Sequence, residues 1–191
     1  MGERGPGRPR DDDIDRRVLD VARRHLAQRG YEALSVAAVA EEAATSRQAV
    51  YRRWSSKADL ATAAIAALSA AEERTPTEDP EADLVRELAA FRSGITRPDG
   101  LAMVGTMLQP STDAELVDRF RERLVAPRRA RLRAILERAA VAGAVDPTAD
   151  LELAVSTLTG SWYAYALAGV PPPEDWPERL ARHTFRALAR P

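Results

Sequence analysis

Apolar residues recur at intervals of three and four along most of the chain, the spacing typical of amphipathic α-helices. No run alternates apolar and polar residues in the two-residue repeat of a β-strand, so the pattern predicts an all-α protein. In the N-terminal part it predicts helices over residues 14–29, 36–43, 47–54 and 57–73. Gly30 is the expected stop of the first helix, and Ser35, Ser46 and Ser56 are the expected N-caps of the others.

The stretch "RTPTEDPE" interrupts the helical pattern with two prolines and predicts a domain boundary. Beyond it, the apolar spacing predicts helices over residues 81–96, 99–109, 114–142, 149–168 and 175–189. Pro127 falls inside the third of these, so we expect that helix to be kinked or broken near Leu124.

Composition and charge narrow the class of protein only moderately. The chain has 191 residues, 45% of them hydrophobic, which is enough to bury a core in one or two domains. It has no cysteine, which excludes disulfides, a thiol nucleophile and zinc–thiolate sites. Residues 1–57 carry twelve Arg and Lys against nine Asp and Glu, and the remainder carries sixteen against twenty. A basic N-terminal part is compatible with nucleic-acid binding, although ordinary solvated surfaces explain the asymmetry equally well.

Two segments bear on the cellular location. The N-terminal sequence "MGERGPGRPRDDDIDRR" is too polar for a signal peptide. Residues 153–173 are uncharged, but their Ser, Thr and Gly content and three consecutive prolines favour a helix buried on several sides over a membrane span. We therefore expect a cytoplasmic protein without a membrane partner.

Signatures of catalysis are missing from the sequence. His25 and His183 are the only histidines and lie too far apart for a metal-binding HExxH pair, and there is no phosphate loop or G-x-S-x-G motif. The early "GPG" lacks the strand and helix of a dinucleotide site. The sequence therefore predicts no enzyme, no catalytic residue, no metal and no cofactor.

Two short helices joined by a tight turn, between two longer helices, suggest a helix-turn-helix. At 100° per residue, the second short helix directs one set of side chains outward: Arg47, Gln48, Tyr51 and Arg52. Val50 and Trp54 lie on the opposite, inward face. Arginine pairs with guanine, glutamine with adenine, and both arginine and tyrosine reach phosphate oxygens. A surface helix that is merely polar explains the charges but not the large exposed tyrosine between them.

The segment "GYEALSVAAVAEEAATSRQAVYRRWSSKADL" resembles the DNA-binding domain of the tetracycline-repressor (TetR) family. The match includes the Gly-aromatic start, the hydroxyl residue opening the second helix, the serine at the turn, the aliphatic-Tyr pair and the lysine, acidic residue and leucine of "KADL" in the fourth helix. The family's turn commonly contains glycine where this chain has Ala44, and a left-handed alanine would be strained by about 1 kcal/mol.

The resemblance implies that residues 47–54 form a recognition helix in the major groove, with Arg47 and Gln48 toward bases and Tyr51 toward phosphate. It also implies phosphate contacts from Lys57 and from the start of the second helix. The candidate DNA-binding residues of this domain are Ser35, Val36, Ser46, Arg47, Gln48, Tyr51, Arg52 and Lys57. The position of the only lysine at a helix N-terminus, where a cation opposes the helix dipole, favours a bound phosphate over a chance surface residue.

The resemblance and the helical pattern together predict an organisation of five segments. These are a flexible basic arm over residues 1–12, a helix-turn-helix domain over 13–57, a connecting helix over 58–73, a linker over 74–80 and a ligand-binding and dimerisation domain over 81–191. Arg8 and Arg10 flank a proline in the arm, a pattern similar to the AT-hook core that inserts arginine into a narrow minor groove. A disordered tail is an equal alternative.

The second domain resembles, more loosely, the C-terminal domains of one TetR branch, which dimerise through their last two helices and often enclose a small-molecule pocket. A stripe of small residues, spaced by four, would let a partner helix approach closely: Ser156, Gly160, Ala164 and Ala168. The apolar candidates for a pocket are Phe91, Met103, Met107, Phe120, Leu124, Trp162 and Tyr163, with Arg92, Arg128 and Asp118 as polar anchors.

These features predict a homodimeric transcriptional repressor that binds a double-stranded DNA operator and is released by a small, hydrophobic effector. The alternative is an all-α interaction or sensor protein without specific DNA binding.

Overall fold

The computed structural model describes residues 8–70, 75–97, 100–109 and 111–190. In that part of the chain the regular structure is entirely helical, with no β-strand, as the periodicity predicts. The helices are α1 (Arg8–Arg29), α2 (Val36–Glu42), α3 (Arg47–Tyr51), α4 (Lys57–Ala70), α5 (Pro80–Ile95), α6 (Gly100–Met107), α7 (Ala114–Phe120), α8 (Ala126–Val141), α9 (Leu151–Leu167) and α10 (Trp176–Leu188).

The chain divides into two compact units. The first contains α1–α4, α6 and α7, and the second contains α5 and α8–α10. Chain order and unit membership therefore differ, because α5 belongs to the second unit while α6 and α7, within Arg97–Leu124, return to the first.

The core of the first unit is built from the apolar stripes of its helices. Val18 and Ala22 of α1, Val39 of α2 and Leu60 of α4 are fully shielded from solvent, and Leu116 of α7 joins the same cluster. Burying a leucine of this kind contributes about 1.5–3 kcal/mol, so α7 is firmly attached to this unit. The helix-turn-helix is thereby supported by helices on both sides of it in the sequence.

The second unit packs α5 against α8 and α10. Its core contains fully buried leucines from three helices: Leu84, Leu88, Leu132, Leu136 and Leu158. Two buried acidic residues of α5 pair with arginines of α8. Asp83 pairs with Arg138, while both carboxylate oxygens of Glu87 accept hydrogen bonds from the Nε of Arg131 at 3.1 Å.

The predicted domain division differs from the observed units. Residues 97–124 were expected in the ligand-binding domain but pack with the N-terminal helices. The difference arises from tertiary packing, because Leu116 completes the core around α1 and α4. The apolar stripe of a helix shows that one face is buried but does not specify which core it joins.

The start of α1 also differs from the prediction. The helix begins at Arg8 and not near residue 14, so the expected flexible arm is wrong for residues 8–12. Pro9 is tolerated in the first helical turn, where a backbone N–H has no helical partner in any case. Residues 1–7 lie outside the described residues.

The interruption predicted near Leu124 is present as a π-helical turn over Arg121–Val125, between α7 and α8. Pro127 has no N–H and its ring would collide with the carbonyl group four residues earlier in a continuous α-helix. The wider π turn removes that conflict and allows α8 to begin at Ala126.

The uncharged segment, residues 153–173, supplies most of α9, which spans 17 residues from Leu151 to Leu167 and includes Glu152 near its start. Among the helices that the structure describes, none combines the length and apolar character needed to cross a bilayer.

Candidate nucleic-acid interface

The two short helices of the first unit begin at serine caps, as predicted. Ser35 Oγ accepts a hydrogen bond from the Ala38 N–H at 3.4 Å, and Ser46 Oγ accepts one from the Ala49 N–H at 3.1 Å. Both serines have extended backbones, the usual N-cap conformation. The caps define where α2 and α3 start and therefore which side chains each helix presents to solvent.

The turn between α2 and α3 contains a left-handed alanine. Ala44 has φ = +52°, a conformation that glycine adopts without strain and other L-residues adopt rarely. The N–H of the next residue, Thr45, donates to the Ala40 carbonyl at 2.9 Å and closes the end of α2. The chain thus makes the turn typical of glycine with an alanine, as the departure from the family pattern suggested.

One face of α3 is anchored in the core and the other is solvent-exposed. Ala49 and Val50 are buried, whereas Tyr51 is 39% exposed. The other outward side chains, Arg47, Gln48 and Arg52, are exposed, as predicted. The Arg47 guanidinium lies 5.4 Å from the centroid of the Tyr51 ring, within cation–π range. The helix therefore presents two arginines, an amide and a phenol on one surface.

The end of the recognition helix differs from the prediction. α3 ends at Tyr51, and the predicted helical end at Trp54 is a hydrogen-bonded turn in which the Trp54 N–H donates to the Val50 carbonyl at 2.9 Å. Arg53 in this turn pairs with Asp15 of α1, and its Nη1 donates to the Ala49 carbonyl at 3.1 Å. This tie between α1 and α3 was not predicted, since its partners are distant in sequence.

A second ion pair, also not predicted, joins α1 to α2. Glu42 accepts hydrogen bonds from Arg24 Nη2 at 2.7 Å and from the Nε2 of the buried His25 at 2.8 Å. Hydrogen bonds from Arg24 and His25 hold the pKa of Glu42 below its ordinary value of 4.5. This contact fixes α2, and hence the turn, against the long first helix.

Lys57 is the first residue of α4, as the opening serine cap predicts. Its Nζ donates to the Glu32 carbonyl at 2.9 Å and lies 4.5 Å from the centroid of the Tyr31 ring. Burial, with the nearby charges of Asp113, Glu115 and Glu32, raises the pKa of Tyr31 to about 12. An ammonium group has three N–H donors, so the bond to Glu32 leaves capacity for a further acceptor.

Acidic side chains are also present at the start of α4. Ser56 Oγ accepts from the Asp59 N–H at 3.0 Å, and the Asp59 carboxylate accepts from the Ser55 N–H at 2.7 Å. This is the predicted capping box, with the return bond moved one residue upstream to Ser55. Asp59 is neutralised by Arg123, whereas Glu115 accepts a 2.6 Å hydrogen bond from Ser56 Oγ.

The remaining DNA-binding candidates differ in how far their side chains are exposed to solvent. Ser35 is exposed, whereas the side chain of Val36 is buried, so only its backbone is available to a phosphate. The backbones of Arg8 and Arg10 lie in α1, and their side chains are outside the described residues.

The seven apolar candidates for a ligand pocket are divided between the two units. Phe91, Trp162 and Tyr163 cluster in the second unit, with ring centroids 6.0–6.3 Å from Phe91. Met103, Met107, Phe120 and Leu124 belong to the first unit, where Met107 packs against its core. Burial raises the pKa of Tyr163.

The three polar anchors also separate. The Arg128 guanidinium lies 4.8 Å from the centroid of the Phe91 ring, and Arg92 donates to the Glu174 carbonyl. Asp118 is exposed and pairs with Arg121 at 3.4 Å.

Within the described parts of the chain, no group of three or more His, Cys, Asp or Glu residues could hold a metal ion.

The small-residue stripe of α9 lies on the surface of the second unit. Ser156, Ala164 and Ala168 are exposed, and Gly160 is half-buried. Two large apolar side chains accompany the stripe, with Leu153 62% and Leu167 90% exposed. This surface is called here the α9 face. Charged groups adjoin it at its N-terminal end, where Arg129 pairs with Glu152 and donates to Ser156 Oγ at 3.2 Å. The opposite side of α9 is buried through Ala154, Val155, Leu158 and Trp162.

Sequence and structure comparisons identify the group of proteins to which the chain is similar. It is 26% identical over 186 residues to the uncharacterized HTH-type transcriptional regulator YdeS of Bacillus subtilis (strain 168), covering 95% of this chain and 93% of YdeS. The crystal structure of the TetR family transcription regulator SCO0332 has a TM-score of 0.69 and 27% identity, covering 93% of this chain and all of that one. A TetR regulator from Agrobacterium tumefaciens shares the fold at a TM-score of 0.68, with 20% identity over 93% of this chain and 92% of its own.

Two family patterns match directly. Residues 18–64 match the pattern described as bacterial regulatory proteins, tetR family, and residues 74–184 match the tetracyclin repressor-like C-terminal domain. The second match alone covers more than half of the chain, and the first contains α2, the turn and α3. The chain therefore belongs to the TetR family of transcriptional regulators.

Proposed function

We propose that this protein is a homodimeric repressor that binds a double-stranded operator through α3 and leaves it when a small effector binds the dimer. The observation that carries the proposal is the exposed face of α3, where Arg47, Gln48 and Arg52 surround a partly exposed Tyr51. This is a set of base-reading and phosphate-binding groups on a helix whose other face is anchored by Val50.

The assignment of individual contacts follows from the chemistry of the side chains. Arg47 and Gln48, at the start of α3, are proposed to read base edges, while Tyr51 and Arg52 bind phosphate. Ser35 and the backbone of Val36 at the start of α2, with Ser46 and Lys57, are proposed as further phosphate contacts. Backbone N–H groups at helix N-termini favour such anions.

The proposed dimer forms through the α9 face. Exposed Leu153 and Leu167 flank the small residues, and an exposed apolar surface of this kind is normally covered in a stable assembly. A Cβ added at Gly160 would meet no atom within 4 Å in the single subunit, so the space beside it is open to a partner helix. Two copies would then place two recognition helices on one operator.

Effector binding is proposed to act on the dimer. Recognition helices must lie about 34–36 Å apart to enter successive major grooves, and a ligand that favours another spacing would release the operator. The aromatic cluster of Phe91, Trp162 and Tyr163 is the proposed hydrophobic part of the effector site in the second unit. Met103, Met107, Phe120 and Leu124 are retained as candidates in the first unit.

The test is an electrophoretic mobility shift with the DNA upstream of the coding sequence, comparing wild type with Arg47→Ala. We expect specific binding by the wild type and a loss of about 1–3 kcal/mol in the variant, with relaxed preference at one base position per half-site. Arg190→Ala, which removes an exposed arginine of the second unit, is the control and should bind as wild type.

Other outcomes would change the assignment. Equal weakening on all DNA sequences would make Arg47 a phosphate contact. If the wild type binds the upstream DNA no better than unrelated DNA, the alternative of an all-α sensor without specific DNA binding is favoured.

A further inference from the structure

The side chain of Arg53 is held differently from those of the other two arginines in the recognition segment. Arg47 and Arg52 are exposed, whereas the Arg53 side chain is only 18% exposed. Its Nε pairs with Asp15 of α1, and its Nη1 donates to the Ala49 carbonyl at 3.1 Å. The charge of Arg53 is therefore bound inside the first unit and largely shielded from solvent.

The Arg53 guanidinium completes the C-terminal end of α3. The backbone N–H of Arg53 donates to the Val50 carbonyl at 3.0 Å, so it does not serve the Ala49 carbonyl as it would in a continuing α-helix. The guanidinium supplies the replacement donor and places a positive charge at the helix end where the dipole favours a cation. Because α3 has only five residues, a bond at its last turn restrains the whole helix.

Asp15 connects this end of α3 to the first helix of the unit. α1 is anchored one turn further on by Val18, which is fully shielded from solvent. α3 itself buries Ala49 and Val50, and apolar burial is non-directional, so on its own it leaves a short helix free to tilt. A guanidinium–carboxylate pair is directional and fixes the angle between the two helices.

The angle of α3 affects base reading more than it affects phosphate binding. Hydrogen bonds weaken steeply as their angle becomes less linear, and bidentate contacts of arginine and glutamine with bases require both bonds at once. The attraction of a basic surface to the phosphate backbone is independent of sequence and tolerates a small shift. A tilt of α3 would therefore weaken the specific complex and largely spare the non-specific one.

We infer that the Arg53–Asp15 ion pair sets the angle of α3 on DNA and so determines sequence specificity without touching a base or a phosphate. Arg53 and Asp15 are positioning residues that act through Arg47 and Gln48. This inference rests on the proposed DNA-binding function of α3. It differs from the interpretation that the charge of Arg53 suggests, which is a direct phosphate contact.

The variant Asp15→Asn tests the inference because positioning and simple charge effects predict opposite signs. Removal of a carboxylate makes the first unit more positive, which by itself would tighten DNA binding. Positioning predicts instead that the variant binds a duplex from the upstream DNA about tenfold more weakly, the discrimination carried by roughly one base contact. Binding to an unrelated duplex of equal length should change less than about twofold, because charge attraction to phosphates is retained.

The matched control is Asp20→Asn, which makes the same charge change elsewhere on α1. Asp20 is exposed, and its only printed partner in the first unit is Arg23 of the same helix, at 3.6 Å. This variant should bind the upstream duplex at least as tightly as the wild type. Fluorescence anisotropy of the full chain with both labelled duplexes measures the affinities, and circular dichroism with urea unfolding checks each fold.

Three further variants separate a pair from two independent side chains. Arg53→Gln should lose the same specificity as Asp15→Asn, with an unchanged dependence of affinity on salt concentration, because no phosphate contact is lost. The double variant Asp15→Asn/Arg53→Gln should bind no more weakly than Arg53→Gln alone, because the pair is already broken there. Asp15→Glu keeps the carboxylate and should retain most of the specificity.

The opposite outcomes would overturn the inference. Wild-type or tighter binding of the upstream duplex by Asp15→Asn would show that the angle of α3 does not depend on the pair. A salt dependence shallower by about 1.8 for a dimer of Arg53→Gln, on both duplexes, would make Arg53 a phosphate contact. Equal weakening on both duplexes with a lowered urea midpoint would leave the pair a role in folding alone.

Failure of the proposed function gives a different result from failure of this inference. If the wild type does not prefer the upstream duplex, specific DNA binding is refuted and the inference is refuted with it. If the wild type prefers that duplex and the variants keep the same preference, only the positioning role is refuted.

Discussion

Replacement of Lys57 by alanine tests whether the start of α4 binds a DNA phosphate. The ammonium group is fixed by the Glu32 carbonyl at 2.9 Å and by the Tyr31 ring, so its position does not need to be ordered when DNA arrives. Only one of its three donors is used by Glu32. The nearby Asp59 is neutralised by Arg123, which reduces the repulsion that a phosphate would meet.

The expected magnitude follows from counterion release. Each phosphate contact contributes about −0.9 to the slope of log affinity against log salt concentration, and a dimer loses two such contacts. The slope should therefore become shallower by about 1.8. Between 50 and 200 mM salt, the wild-type affinity should fall about twelvefold more than that of the variant. Specific and non-specific DNA should be affected alike.

The assay is fluorescence anisotropy with labelled operator and unrelated duplex at several salt concentrations. Lys57→Arg keeps the charge and is the matched control, so it should retain most of the wild-type slope. Urea unfolding of each variant checks that the lost contact with Glu32 has not unfolded the first unit. An unchanged slope in Lys57→Ala, with the fold intact, would refute the phosphate contact.

Two further predictions concern the dimer and the pH dependence of stability. Gly160→Leu should give folded monomers that bind operator weakly, because a leucine side chain has room in the single subunit but would obstruct a partner helix. A variant that sediments with the mass of the wild-type dimer would contradict this. The hydrogen bonds that lower the pKa of Glu42 stabilise the folded state in full above pH 4.5, where the carboxylate is ionised. This stabilisation is lost as the pH falls through the lowered pKa. Glu42→Gln should therefore show a smaller drop in urea midpoint than wild type between pH 6 and pH 3, roughly the range in which a carboxyl titrates.

The features of the fold that could be predicted are those encoded locally. Helical spacing predicts α5 to within one residue at each end, and the serine caps predict the starts of α2 and α3. Caps and apolar periodicity depend on residues within one or two turns of each other. The outward face of α3 was predictable for the same reason.

The features that could not be predicted depend on contacts between distant residues. Arg53 pairs with Asp15, and Arg123 pairs with Asp59 across 64 positions of sequence. The charges of these arginines alone suggest exposed or DNA-binding roles, but the structure uses them within the first unit. The packing of α7 in that unit through Leu116 also depends on contacts with residues that are distant in sequence.

The left-handed alanine of the turn predicts that replacing alanine by glycine changes the stability of the protein in opposite directions at two sites. An L-residue in the left-handed region costs about 1–2 kcal/mol, and glycine removes that strain while its greater freedom in the unfolded chain costs about 0.5–1 kcal/mol. Ala44→Gly should therefore stabilise the protein by about 0.5–1 kcal/mol, because φ at this position is +52°. Ala27→Gly, at an exposed helical position in α1, should instead destabilise it by about 0.5–1 kcal/mol. Urea unfolding followed by circular dichroism at one protein concentration measures both, and destabilisation by both variants would show that the turn stores no strain that glycine can release.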